Sequence, residues 1–228
     1  MKILPFDVAV IENDTHISKW VQQAKTIEIA KDWPISLYKH LIPQGGVVVD
    51  AGAFIGDHTV TYAKLVGGSG KVYAFEPNPI AFECLKYNTR NLGVACYQAG
   101  LGDDVLRGLS VVQDANSGAS HLALSDTREV IIKTLDNELK HEGRLDFIKM
   151  DVEGFEVFAL EGARSLIRRF RPVMFIEVNP GALNRAGTSW QALYAIIGEL
   201  GYSIRIVPHT AKDGDAQYDI LCQWNGAK

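Results

Sequence analysis

The chain has 228 residues, 47% hydrophobic and 22% charged, with a formal net charge of −4 and a pI near 5.9. This composition suits a globular protein with one sizeable core. It shows no basic stripe of a dedicated nucleic-acid binder, no apolar run long enough to span a membrane, and no signal-peptide pattern after Met1. A cytoplasmic protein without nucleic-acid or membrane partners is expected. Cys84, Cys96 and Cys222 are too few and too irregularly spaced for a disulfide framework or metal site.

Residues 14–42 carry a helical pattern: Asp14 or Thr15 can cap, and Ile17, Trp20, Val21 and Ala24 recur at helical spacing. Pro34 can open a second short helix that ends before Pro43. Residues 1–44 are therefore predicted to form an N-terminal helical extension, and 45–228 the main domain. From Val47 onward apolar runs alternate with helical stretches. Val47–Val49, Val72–Phe75, Ala95–Ala99, Asp146–Val152, Val173–Val178, Tyr202–Val207 and Tyr218–Trp224 read as strands. Helices are expected from Gly56 to Val66, from Pro79 to Asn91, over Phe155 to Phe170, and from Ser189 to Leu200. Residues 103–134 break the rhythm and read as a small β-rich insertion, with strand-like pieces at Leu109–Val112 and Val130–Lys133. Strands alternating with helices imply a mostly parallel sheet with helices on both faces, an α/β fold. The last two strands can pair antiparallel.

In such a sheet, ligands bind beyond the carboxyl ends of the strands. Those positions read Asp50-Ala51-Gly52-Ala53-Phe54-Ile55-Gly56, Glu76-Pro77-Asn78, Gly100-Leu101-Gly102-Asp103, Asp151-Val152-Glu153-Gly154 and Glu177-Val178-Asn179. The first is D-x-G-x-x-x-G, a glycine loop that lets backbone approach a ligand. A dinucleotide loop would carry glycine where Asp50 stands. A carboxylate repels a pyrophosphate and suits the cationic amine of a methionine moiety, which favours S-adenosylmethionine over NAD. Glu76 lies 20 residues beyond Gly56, at the place where an acid accepts hydrogen bonds from a ribose. It can equally shape the turn before Pro77.

With these residues assembled, the stretch from Val47 to Gly93, VVVDAGAFIGDHTVTYAKLVGGSGKVYAFEPNPIAFECLKYNTRNLG, resembles the cofactor half of FkbM-type methyltransferases. Thr134-Leu135-Asp136, the run from Phe147 to Glu156 with its K-x-D-x-E-G-x-E core, Glu161-Gly162-Ala163 and Arg171 to Val178 resemble that family's later motifs. The resemblance covers roughly residues 45–180. It implies a Rossmann-like class I methyltransferase fold with a seven-stranded sheet. It also implies S-adenosylmethionine as cofactor and transfer of a methyl group to a hydroxyl of a sugar or other small natural product. One departure stands out: the family usually has Asn after D-x-G-A, and this chain has Phe54.

On this reading the cofactor residues are Asp50, Gly52, Ala53, Phe54, Gly56, His58, Thr59, Glu76, Pro77, Asn78, Leu101, Asp103 and Asp151. The methionine part falls to the glycine loop, the ribose to Glu76 and the adenine to the turn at Leu101 and Asp103. The catalytic candidates are Asp151, Glu153, Lys149 and Glu177. Alternation along a strand puts Lys149, Asp151 and Glu153 on one side if the strand persists that far. Clustered carboxylates shift one another's pKa and can yield a base for a hydroxyl acceptor. Asp151 is preferred, whereas Glu153 can simply cap the next helix. Glu156 suits a first helical turn. No metal is assigned, although Asp151, Glu177 and Asn179 offer oxygen ligands that could suit Mg²⁺. His121 and His209 could line a substrate pocket, and solvated loop positions are the commoner outcome. Two other readings remain: an NAD-dependent oxidoreductase, disfavoured by Asp50, and a non-catalytic Rossmann-like binding module, disfavoured by the retained acids. Oligomeric state is not legible.

Overall fold

The computed structural model describes residues 1–29, 34–104, 109–112, 121–124, 130–207 and 217–226. The N-terminal segment is not wholly helical. It opens with a short antiparallel pair, β1 (Lys2–Ile3) and β2 (Ala9–Val10), followed by helices α1 (Ile17–Ala24) and α2 (Ile35–Tyr38) and a 3₁₀ turn (Lys39–Leu41). Asp14 does serve the start of α1, its Oδ2 accepting from Ser18 N at 2.6 Å. The segment packs into the domain. Val8, Ala9, Val10 and Val21 form one apolar cluster with Ile55, Val60 and Cys84. Asn88 clasps the hairpin, accepting from Ala9 N and donating to Ala9 O and Ile55 O.

The main alternation follows with β3 (Val47–Ala51), α3 (Asp57–Val66), β4 (Lys71–Phe75), α4 (Pro79–Thr89) and β5 (Ala95–Tyr97). Next comes β6 (Gly100–Leu101), parallel to β9 (Ile132–Lys133), with the antiparallel pair β7 (Leu109–Val112) and β8 (His121–Leu124) between them in the chain. After α5 (Leu135–Glu138) and β10 (Phe147–Met150), the expected single helix is two, α6 (Glu156–Glu161) and α7 (Arg164–Phe170). The break falls at Gly162, where an added Cβ would lie 1.9 Å from Gly102 O. Asp136 then caps α7, accepting from Ser165 N and Leu166 N at 2.9 and 2.8 Å. Strand β11 (Val173–Val178), helices α8 (Pro180–Arg185) and α9 (Trp190–Glu199), and strands β12 (Tyr202–Val207) and β13 (Tyr218–Trp224) complete the chain.

Seven strands form one sheet in the order β12-β13-β11-β10-β3-β4-β5, with β13 antiparallel to both neighbours. Val49, Ala51, Ile148, Met150 and Ile176 face the layer that includes α5, α6, α7 and α9. Val48, Val72, Phe147 and Phe175 face α2 and α3, and Ala74 packs on α4. Among the described residues no helix is long and apolar enough to cross a membrane.

Candidate active site

The chain runs outward from β3 through β4 to β5, then returns to β10 on the other side of β3. This reversal leaves a crevice at the carboxyl edge, where open α/β sheets bind ligands. A cleft opens there, lined by residues from the ends of several strands. Gly52 and Phe54 follow β3, Glu76 and Pro77 follow β4, Leu101 ends β6, and Lys149, Asp151 and Glu153 come from the end of β10.

Strand alternation sets the charges behind this wall. On the face bearing Val48, Phe147 and Phe175, the next residues toward the carboxyl edge are Asp50, Lys149 and Glu177. Lys149 pairs in register with Asp50, and Glu177 with Asp219 of β13. Lys149 Nζ donates to Gly52 O at 3.1 Å and Asp151 Oδ2 at 3.2 Å, and lies 4.0 Å from Asp50 Oδ1. Burial works against the ammonium, but Asp151, Asp50, Asp57 and Glu177 outweigh it and hold its pKa above the ordinary lysine value. Lys149 thus ties the glycine loop to the acidic end of β10.

The strand does not persist to Glu153; β10 stops at Met150 and the chain turns. Glu153 has φ 52 and Gly154 φ 105, left-handed backbone of the kind that is stored at functional sites. A Cβ at Gly154 would approach Ala182 O to 2.4 Å. Glu156 secures the turn, its Oε1 accepting from Val152 N and Gly154 N at 3.2 Å. The turn, rather than strand alternation, gathers Asp151, Glu153 and Glu177, whose carboxylate oxygens lie within 4.8 Å of one another.

Three environments distinguish these acids. Asp151, with 31% of its side chain accessible, faces the cleft. Burial disfavours its charge, but Lys149 and a hydrogen bond with Glu177 hold its pKa below the usual carboxylate value. Glu177 is pushed well above its ordinary value by burial, then by Asp151 and Glu153. It shares a hydrogen bond with Asp151, and Gln217 Nε2 donates to Glu177 Oε1. Burial and the Asp151 charge raise Glu153 to about 8. Asp151 is therefore the carboxylate that is ionised at neutral pH and open to the cleft.

Of the residues expected at the cofactor, Gly52, Phe54, His58, Glu76, Pro77, Leu101 and Asp151 line the cleft. Asp50, Ala53, Gly56, Thr59, Asn78 and Asp103 do not, nor does Glu177. Asp50 is fully buried beneath the loop, its Oδ2 accepting from Thr59 Oγ1 at 2.6 Å. Asn78 caps α4, accepting from Ile80 N and Ala81 N. Asp103 is exposed beyond the end of β6. Asn179, weighed as a cation ligand, caps α8 by accepting from Ala182 N at 3.0 Å. Glu76 shapes the turn, as one of its two readings expected: Oε2 accepts from Phe54 N at 2.8 Å and Oε1 from Asn78 N at 2.7 Å. Burial pushes its pKa up to about 7. Phe54 sits at φ 47, a conformation that Asn tolerates better than most side chains.

Sequence reasoning missed Asp57, Ile17, Phe75, Ala99 and Phe155 as cleft residues. Asp57 immediately follows the last loop glycine, which was signal enough. Ile17 belongs to α1 and reaches the cleft only through tertiary packing. His121 lies in β8, and His209 falls outside the described residues.

The residues present fit S-adenosylmethionine. Asp57 and Asp151 give the cleft a negative wall suited to a cationic ligand, and Phe75, Pro77 and Leu101 an apolar one suited to a base. Residues 50–204 match the family described as the Methyltransferase FkbM domain. The solved structure of a methyltransferase FkbM from Methylobacillus flagellatus KT superposes with a TM-score of 0.55 at 21% identity. The alignment covers 78% of this chain, which spans 44% of that structure's length. A putative rRNA methylase from Clostridium thermocellum gives 0.56 at 13% identity, over 94% of this chain and 99% of its own. A SAM-dependent O-methyltransferase from Thermotoga maritima gives 0.53 at 14% identity, over 93% and 72%. Identities this low establish a shared fold. No curated protein matches the chain. The family match takes in more than half of the chain and every strand end that opens on the cleft, and this protein accordingly belongs to the FkbM methyltransferase family, for which S-adenosylmethionine is the methyl donor.

Proposed function

We propose that this protein methylates a hydroxyl group of a small molecule, such as a sugar or another natural product. The observation that carries the reading is Asp151, an ionised carboxylate facing the cleft at the carboxyl end of β10, 3.2 Å from Lys149. Bound S-adenosylmethionine supplies an electrophilic methyl on a sulfonium. Glu76, Pro77 and Leu101 would hold its nucleoside, and the Gly52–Phe54 loop and His58 its amino-acid part. The chain's own task is to orient the acceptor and manage its proton. Asp151 accepts a hydrogen bond from the acceptor hydroxyl and takes its proton as the oxygen becomes nucleophilic. Lys149 keeps Asp151 ionised, and Glu177 fixes its direction.

Net charge and site chemistry favour a small acceptor over a polyanion. The chain carries −4 overall, and four acids line the cleft, Asp57, Glu76, Asp151 and Glu153, against Lys149, whose ammonium is engaged by Gly52 O and Asp151, which offers phosphates little compensating charge. The test is incubation with isotope-labelled methyl donor and three pools, namely glycosides, phenols and total RNA, read by mass spectrometry. Label on a hydroxyl of a glycoside or phenol is expected. Label on RNA alone, or on nitrogen alone, overturns the reading.

A further inference from the structure

His58 stands in the first turn of α3 and lines the cleft, but its ring is not a free surface group. Nδ1 lies 3.2 Å from Tyr62 Oη and 3.4 Å from Tyr38 Oη, and the two phenol oxygens are 2.9 Å apart. Tyr38 comes from α2, ahead of the family-matched residues 50–204. Its ring is stacked on Phe147 at 5.2 Å and tilted against Phe175 at 4.2 Å. Both tyrosines are fully buried, and burial holds both phenols above the ordinary tyrosine value, so they keep their protons.

Counting protons selects the tautomer. If Nδ1 carried hydrogen, this trio would hold three donor protons and only two oxygens. One phenol would then lack an acceptor within the trio. If Nδ1 is bare, Tyr38 donates to Tyr62 and Tyr62 donates to Nδ1, and every group is satisfied. The ring proton then sits on Nε2. Nε2 is 4.0 Å from Asp57 Oδ2, beyond hydrogen-bond range, beside another cleft residue. Burial and nearby Lys149 depress the imidazole to about 3, so it stays neutral.

Among the described residues, Lys149 and His58 are the cleft side chains that carry nitrogen donors. Lys149 is occupied by Gly52 O and Asp151. An anionic group entering this acid-lined cleft therefore meets one uncommitted side-chain N–H. We propose that Tyr38 and Tyr62 fix His58 as the Nε2–H tautomer, and that this N–H receives the carboxylate of the methyl donor's amino-acid moiety. The inference rests on the S-adenosylmethionine reading of the cleft. It makes Tyr38 a positioning residue and draws the N-terminal segment into the ligand site.

The test is calorimetry with S-adenosylhomocysteine and with 5′-methylthioadenosine, which shares the thioether nucleoside but has no carboxylate. His58→Leu is expected to weaken S-adenosylhomocysteine about tenfold or more and leave methylthioadenosine unchanged. His58→Gln, whose amide nitrogen can stand in for Nε2, is expected to restore most of the difference. The Tyr38→Phe/Tyr62→Phe double variant keeps both rings and removes both hydroxyls. Its ¹⁵N spectrum is expected to show His58 shifting from the Nε2–H form toward a mixture, with the same selective loss of S-adenosylhomocysteine. Equal weakening of both ligands in His58→Leu overturns the carboxylate assignment. An unchanged tautomer in the double variant overturns the role of the tyrosines. If wild-type protein binds neither ligand, the cofactor reading itself fails, and the proposal with it.

Discussion

Asp151 and Glu153 lie two residues apart in one turn, yet their surroundings drive them in opposite directions. Asp151 has the Lys149 ammonium at 3.2 Å and is held ionised. Asp151→Asn preserves size and leaves Lys149 with Asp50 at 4.0 Å. Turnover is expected to fall about 10²–10⁴-fold, with S-adenosylhomocysteine affinity little changed by calorimetry. Lost affinity together with lost turnover would move Asp151 from the acceptor to the methionine pocket. Glu153 gives a pH prediction. Its carboxyl is raised from 4.5 to about 8, so between those values the native state holds a proton that the unfolded chain has released. Its contribution to stability is complete below pH 4.5 and is lost as pH rises through about 8. Glu153→Gln removes that dependence. Thermal melts should show the variant gaining on wild type as pH goes from about 5 to about 9; an advantage that does not change with pH would show that Glu153 titrates normally.

At the scale of elements, family motifs separate into chemistry and construction. Thr134-Leu135-Asp136 and Glu161-Gly162-Ala163 resemble the family's later motifs, and here they serve the backbone: Asp136 caps α7. Its backbone N also donates to Gly162 O at 2.9 Å, so the two motifs meet to turn one expected helix into two. Asn78 is a similar case. It is 2% exposed and caps α4 through two backbone N–H groups. Asn78→Ala is expected to cost about 1 kcal/mol, the usual value of a lost cap, in a denaturant titration, without changing ligand affinity. A selective loss of S-adenosylhomocysteine binding with unaltered stability would return Asn78 to the cofactor.

Across the whole molecule, the N-terminal segment behaves as part of the core. Ile35 and Tyr38 of α2 are fully buried in the cluster that includes Val48, Phe147 and Phe175, and Ile17 of α1 walls the cleft. Ile35→Ala is expected to destabilise the protein by about 2–5 kcal/mol, as for a central core residue, in one cooperative transition. A loss below about 1 kcal/mol, or a separate early transition, would show α2 to be a detachable appendage.

What could be read from the chain alone was whatever depends on local spacing. Apolar runs of strand length between helical stretches specify a parallel sheet, because each strand must be buried on both faces. The acids at their ends fall at the carboxyl edge by the same rule, which is why Glu76, Lys149, Asp151 and Glu153 could be named. Local pattern does not say which of those side chains reach the cleft. Asp50 turned inward to Lys149 because the β3–β10 register sets them side by side, and register is a pairing between strands almost a hundred residues apart. Glu177 met Asp151 only because the chain turns after Met150 instead of continuing extended. Ile17 and Tyr38 joined the site through packing between segments distant in sequence, a long-range contact that no periodicity encodes.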